Sequence, residues 1–179
     1  NTYTQLETKT WASIQAMAKL SLTAHWCEIG AGRIYKTEHK ETWFSTPQSC
    51  SEDNSESFAG QHSAGSTSYY LNDECSAIAD VIFEVQEGGL TDGEPMQFLF
   101  GNPTRSQGKF YRVITGQQPG YRLITIDSRD CPLTNKEQIQ EWVDQYGEDS
   151  DFVRVRVRGI PPAAADSQFI PLDLVMNAQ

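Results

Sequence analysis

The apolar run Tyr69-Tyr70-Leu71 stops abruptly at Asn72-Asp73-Glu74-Cys75-Ser76, and this arrest at two adjacent carboxylates constrains the fold more than any other stretch. β-Branched and aromatic residues from Thr67 to Leu71 favour a strand, and the turn residues Gly65-Ser66 admit it. Ser76 is placed to cap the helix that follows. In open α/β sheets ligands gather at the carboxyl ends of strands, so Asp73 and Glu74 are expected where chemistry occurs. Two neighbouring acids there suit nucleotide hydrolysis: one holds Mg²⁺ through its waters, and the next orients or deprotonates the attacking water. The same pair could instead serve only as acids near the positive end of a helix.

A length of 179 residues fits one domain with a real core, and 38% hydrophobic residues with 11% aromatics exclude a disordered chain. No apolar run approaches the ~20 residues needed to span a bilayer as a helix, so a soluble protein is expected. The net charge of −10 disfavours broad capture of nucleic acid and leaves only a local basic patch for phosphates. Cys27, Cys50, Cys75 and Cys131 form no CxxC pair, which points to free thiols in a reducing compartment. The chain opens at Asn1 with no leader pattern and reads as a trimmed piece.

Thr4-Gln5-Leu6-Glu7 has the form of a capping box, and Leu6, Trp11, Ile14, Met17 and Leu20 then mark a core-facing helical stripe. Trp26–Ile29 and Arg33–Thr37, separated by Gly30-Ala31-Gly32, predict a hairpin. Glu41–Phe44 is a short extended run, Ser49–Ser57 an exposed polar loop, and Phe58–His62 a short strand that brings His62 towards the acids. Ala77–Glu87 predicts a helix stopped by Gly88-Gly89. Pro95–Phe100 and Tyr121–Ile126 predict two more buried strands, ending at Gly101-Asn102-Pro103-Thr104 and at Asp127-Ser128-Arg129-Asp130, with a short helix over Lys109–Thr115 between them. Thr134-Asn135-Lys136-Glu137 starts a helix that runs to Gly147. Phe152–Arg158 alternates strictly and predicts a half-buried strand whose arginines share one side, suited to charge protection of an edge or to contact with DNA or a neighbouring subunit.

A phosphate-binding P-loop is absent. The nearest match, Pro103–Phe110, lacks the first glycine and carries Phe110 where a metal-holding hydroxyl is needed. Asp73, Glu74, Asp127 and Asp130 could alternatively gather two cations for a metal-dependent nuclease if their strands are neighbours. Arg105 and Arg129, each just past a strand, could sense a γ-phosphate or could pair with Glu74 or Asp127.

Taken in order, several landmarks resemble the ATPase region of the large terminase subunit of tailed bacteriophages, the motor that packages DNA into phage heads. They are Asn1-Thr2 with Gln5-Leu6, Phe58-Ala59-Gly60 with His62, Asp73–Ile78, Glu87–Asp92 and Gly101–Thr104, followed by Gly108-Lys109-Phe110, Tyr146–Asp151, Val153–Gly159 and Phe169-Ile170-Pro171. The resemblance implies a RecA-like three-layer αβα sandwich, incomplete at its N-terminus, with a mainly parallel sheet and an added hairpin. Residues 1–159 would be the ATPase portion, and 160–179 a linker towards a nuclease domain beyond Gln179. Asp73 would bind Mg²⁺, Glu74 would activate water, and Gly101, Asn102, Pro103 and Thr104 would form the coupling motif. Gln5 and His62 would lie near the nucleotide. The family further implies ATP, double-stranded DNA, the portal protein and the small terminase subunit as partners, homo-oligomeric assembly and a bacterial host cytoplasm. Asn72 departs from the apolar residue usual before the acids. With its P-loop placed upstream of Asn1, the isolated chain is expected to turn over ATP feebly or not at all, because positioning and electrostatics carry phosphoryl transfer. A catalytically inactive prophage remnant or interaction module is the other reading.

Overall fold

In the computed structural model, residues 4, 6–49, 55, 57–59 and 67–163 are described. The chain forms a mixed α/β structure of two compact units, Asn1–Tyr70 with Val81–Gln97, and Leu71–Asp80 with Phe98–Gln179. No helix among the described residues is long and apolar enough to cross a membrane.

In the first unit a π-helical run, Leu6–Trp11, continues into α1 (Ala12–Leu20). Its apolar stripe is not core, contrary to expectation: Trp11 is buried, but Met17 is 73% and Leu20 87% exposed. Polar bonds anchor the helix instead, from Trp11 Nε1 to Ala31 O and from Gln15 Nε2 to Gly30 O, both 2.6 Å. The expected hairpin forms from β1 (Cys27–Ile29) and β2 (Ile34–Lys36), and β3 (Phe44–Ser45) adds a third antiparallel strand. Arg33 stacks over the Phe44 ring at 3.8 Å and donates to Lys40 O, which ties the sheet to the turn beside it. Phe58 lies in a helical turn rather than a strand. Gln5, Cys50 and His62 lie outside the described residues, as does most of the expected linker.

β4 (Tyr69–Asn72) and β5 (Met96–Leu99) form a two-stranded sheet. Met96 N–H donates to Ser68 O and Phe100 N–H to Asn72 O, so the strands run parallel. The connection between them carries α2 (Asp80–Gly88), as parallel strands require a crossover. Ile82, Phe83 and Gln86 are its buried residues, and Gln86 Oε1 accepts from Gln97 Nε2 at 2.7 Å. Gly89 leaves the space that the Tyr70 hydroxyl fills.

The second unit holds α3 (Lys109–Ile114), α4 (Lys136–Tyr146) and α5 (Asp151–Arg156). Asn135, not Thr134, caps α4, with Oδ1 accepting Gln138 N–H, and Gly147 ends it. The alternating segment 152–158, expected as a strand, is largely helix. Ser150 Oγ accepts Val153 N–H, Asp151 supplies an acid to the first turn, and Val153 and Val157, one turn apart, pack fully buried with Ile139. Its three arginines therefore reach different partners: Arg154 the Pro161 carbonyl, Arg156 the Phe152 ring, Arg158 Glu148 and Asp149.

Tyr121–Ile126 does not join a sheet, and Ile124 is 70% exposed. The segment pairs with none of the strands among the described residues, and the expected burial does not occur. Phe98 and Phe100 are likewise exposed on one face of β5 and its continuation, stacked at 6.3 Å.

Val153→Ala removes two methyl groups from the α4–α5 core and is expected to destabilise the chain by about 2 kcal/mol, read from the midpoint of urea unfolding.

Candidate functional site

Asn72 ends β4 with its side chain buried, and the chain then turns out of the sheet so that Asp73 and Glu74 are exposed. Asp73 Oδ1 accepts the Glu74 N–H at 3.0 Å. Glu74 has φ 57° and ψ 45°, the left-handed region, and no other non-glycine described residue has positive φ. That conformation costs an L-residue roughly 1–2 kcal/mol, so neighbouring bonds must hold it. The Glu74 carbonyl accepts Ala77 N–H at 2.9 Å, and Cys75 N–H donates to Phe100 O at 2.9 Å. Burial pushes the Cys75 thiol up to about 12, so it remains an S–H that donates to Asn72 O at 3.2 Å.

The loop after β5 is bound to this same turn. Ser76 Oγ donates to Asn102 O at 2.6 Å and accepts Thr104 N–H at 3.1 Å, so it bridges to the loop rather than capping α2 as expected. Gly101 passes so close that a Cβ there would stand 2.9 Å from Cys75 N and 3.4 Å from the Glu74 carbonyl carbon. Pro103 is buried. The structure thus brings the Asp73-Glu74 turn and the Gly101–Thr104 loop together at the carboxyl ends of two parallel strands. Arg105, next in the chain, is exposed and has no hydrogen bond or ion pair among the described residues.

Gly108-Lys109-Phe110 forms no open phosphate cradle. Asp80 Oδ1 accepts Lys109 N–H at 2.6 Å, Asp80 Oδ2 pairs with Arg112 at 2.9 Å, and Lys109 is buried. A carboxylate of the chain itself therefore satisfies the start of α3, where an anion would otherwise bind. Sequence reasoning missed both Ser76 as a bridge and Asp80 as a cap. Gly108 before Lys109 was the available signal, because a glycine N-cap has no side chain to accept the first helical N–H groups.

Arg129 is already engaged: Nε and Nη2 bind Asp127 at 3.0 and 2.7 Å, and Nη1 binds Glu148 at 3.1 Å. Between Glu74 and Asp127, it takes Asp127. The Arg129 hydrogen bonds hold the Asp127 carboxyl below the usual carboxylate range against a smaller opposing effect of burial. Asp127 and Asp130 do not join Asp73 and Glu74: among the described residues no three His, Cys, Asp or Glu side chains group to hold a metal.

The chain is distantly homologous to the probable terminase large subunit of Enterobacteria phage P7, with 29% identity over 153 residues, or 81% of this chain and 31% of that protein. It thus spans about a third of the length of the curated relative it matches. No protein-family model matches the chain, and no solved structure does.

Gly101→Ala forces a methyl group against backbone and is expected to cost about 1–3 kcal/mol in a urea titration. Because the folded-state Asp127 carboxyl lies below its unfolded value, its stabilisation is complete above the unfolded value and is lost as pH falls through the folded one. Asp127→Asn should flatten the decline in melting temperature below the ordinary carboxylate range, measured by circular dichroism.

Proposed function

We propose that this chain is part of the ATP-hydrolysing motor of a DNA-packaging terminase, carrying its Walker B acids, Asp73 and Glu74, and its coupling loop, Gly101–Thr104. Homology to a terminase large subunit supports the family. The observation that carries the site is the direct bonding of the acid turn to the Gly101–Thr104 loop at the carboxyl ends of parallel strands. On this reading β4 and β5 are the centre of a RecA-like αβα sandwich.

The donor set suits Mg²⁺. That ion takes oxygen ligands, keeps several waters and is held by one or two carboxylates with phosphate oxygens rather than by a cage of protein ligands. Two adjacent exposed carboxylates with no third acidic, histidine or cysteine ligand among the described residues fit this habit. Bound there, Mg²⁺ would neutralise charge on the phosphates of ATP. Asp73 would hold the ion, and Glu74, fixed in its left-handed turn, would take the proton of the attacking water. Arg105 is available to a phosphate, whereas Arg129 must first leave two carboxylates. Double-stranded DNA, the portal protein, the small subunit and further copies of the chain are the partners this role requires. The metal-nuclease alternative loses support because its four acids do not gather.

The test uses the full-length protein that contains these residues. Glu74→Gln should lower phosphate release by about 10²-fold or more while ATP binding persists, and Asp73→Asn should weaken the Mg²⁺ dependence of binding. Hydrolysis at the unsubstituted rate in both variants would overturn the assignment, and an inactive parent would leave the remnant reading.

A further inference from the structure

We propose that Ser76 is a positioning residue that sets Glu74 through the Gly101–Thr104 loop, an inference that rests on the motor reading above. Among the described residues, three bonds tie Cys75 and Ser76 to the chain 100–104. One is the backbone bond from Cys75 N–H to Phe100 O, and the other two both belong to the Ser76 hydroxyl, donated to Asn102 O at 2.6 Å and accepted from Thr104 N–H at 3.1 Å.

A hydroxyl can donate and accept at once, which neither a methyl group nor a carboxylate does. Ser76 therefore clasps the loop at two points two residues apart and fixes its path as well as its distance. Gly101 lies between the Phe100 bond and that clasp, close enough to the Glu74 and Cys75 backbone that even a Cβ would collide. A shift of the loop must then carry Ser76, and Ser76 lies two residues from Glu74 in the short 3₁₀ turn Cys75–Ala77, whose first bond is accepted by the Glu74 carbonyl. Glu74 holds its left-handed torsions only while this frame is intact. Loss of the clasp misplaces the base without removing it, and small misplacements of catalytic groups are costly in rate.

Ser76 touches neither nucleotide nor metal in this scheme, so its signature is a change in kcat with little change in the KM for ATP. In the full-length protein Ser76→Ala is expected to lower kcat by about tenfold or more, and Ser76→Thr, which restores the hydroxyl, to recover it to within about twofold. In parallel, amide hydrogen exchange at Thr104 should quicken in Ser76→Ala and not in Ser76→Thr. Should Ser76→Ala fail to fold, Ser76→Cys, which keeps a side chain of similar shape but hydrogen-bonds weakly, is read the same way. Unchanged kcat in the folded variant, or a Thr variant no faster than the Ala variant, would overturn the proposal. Glu74→Gln run beside them separates the two readings: if it also hydrolyses ATP normally, the assignment of the base has failed, and if it alone is inactive, only the role of Ser76 has.

Discussion

The bond from Cys75 N–H to Phe100 O, with the two bonds of Ser76 beyond it, is the interaction on which the arrangement of the acids depends. Parallel strands have no tight turn to keep their ends in register, and β4 and β5 are joined only through the long crossover containing α2. Beyond the last ladder bond, Phe100 N–H to Asn72 O, these bonds keep the two chains together. Each bond contributes roughly 0.5–1.5 kcal/mol net, and the three together offset the roughly 1–2 kcal/mol held in the left-handed Glu74. Strain of this size is tolerated where neighbouring structure over-determines it, and such places are commonly functional.

The electrostatics of the turn lead to the same place. Two adjacent carboxylates repel each other, and in water two unit charges 4 Å apart interact by only about 1 kcal/mol. Exposure of Asp73 and Glu74 therefore makes their adjacency affordable in the absence of a cation. Burial of the same pair would raise that cost severalfold and demand a permanent counter-ion. On the motor reading proposed above, an exposed acid pair suits a cation that arrives with its ligand, as a metal–nucleotide complex does.

What could be read from the sequence followed the strength of local chemistry. The hairpin at Gly30–Gly32, the arrest of β4 at Asp73, the end of β5 before Gly101 and the stop of α4 at Gly147 each rest on residues that act over a few neighbours. Segment 152–158 misled because Val153, Val155 and Val157 fit a strand by alternation and a helix by the i, i+4 pair Val153 and Val157, and the deciding signal, Ser150-Asp151, lay outside the window. The stripe Ile14, Met17, Leu20 and the run Leu123-Ile124-Thr125-Ile126 misled for a different reason. Apolar pattern states which face favours burial, but burial also needs a partner, and none of the described residues supplies one. Ser76 shows the same limit for polar groups: a serine before a helix caps it only if no nearer acceptor and donor compete, and Asn102 and Thr104 are 26 and 28 residues away in sequence.

The two arginines separate on similar grounds. Arg129 satisfies Asp127 bidentately and reaches Glu148, which in turn meets Arg158, so one guanidinium organises three acidic and basic side chains of its unit. Exposed ion pairs are individually weak, at most about 1 kcal/mol, yet a phosphate recruiting Arg129 would break several at once and leave Asp127, held ionised by that same arginine, without its partner. Arg105 carries no such commitment and follows directly on the loop that Ser76 holds. On the motor reading, Arg105 is thus the arginine that can meet a phosphate at no loss of existing bonds, and Arg129 stays the fixed strut of its own turn.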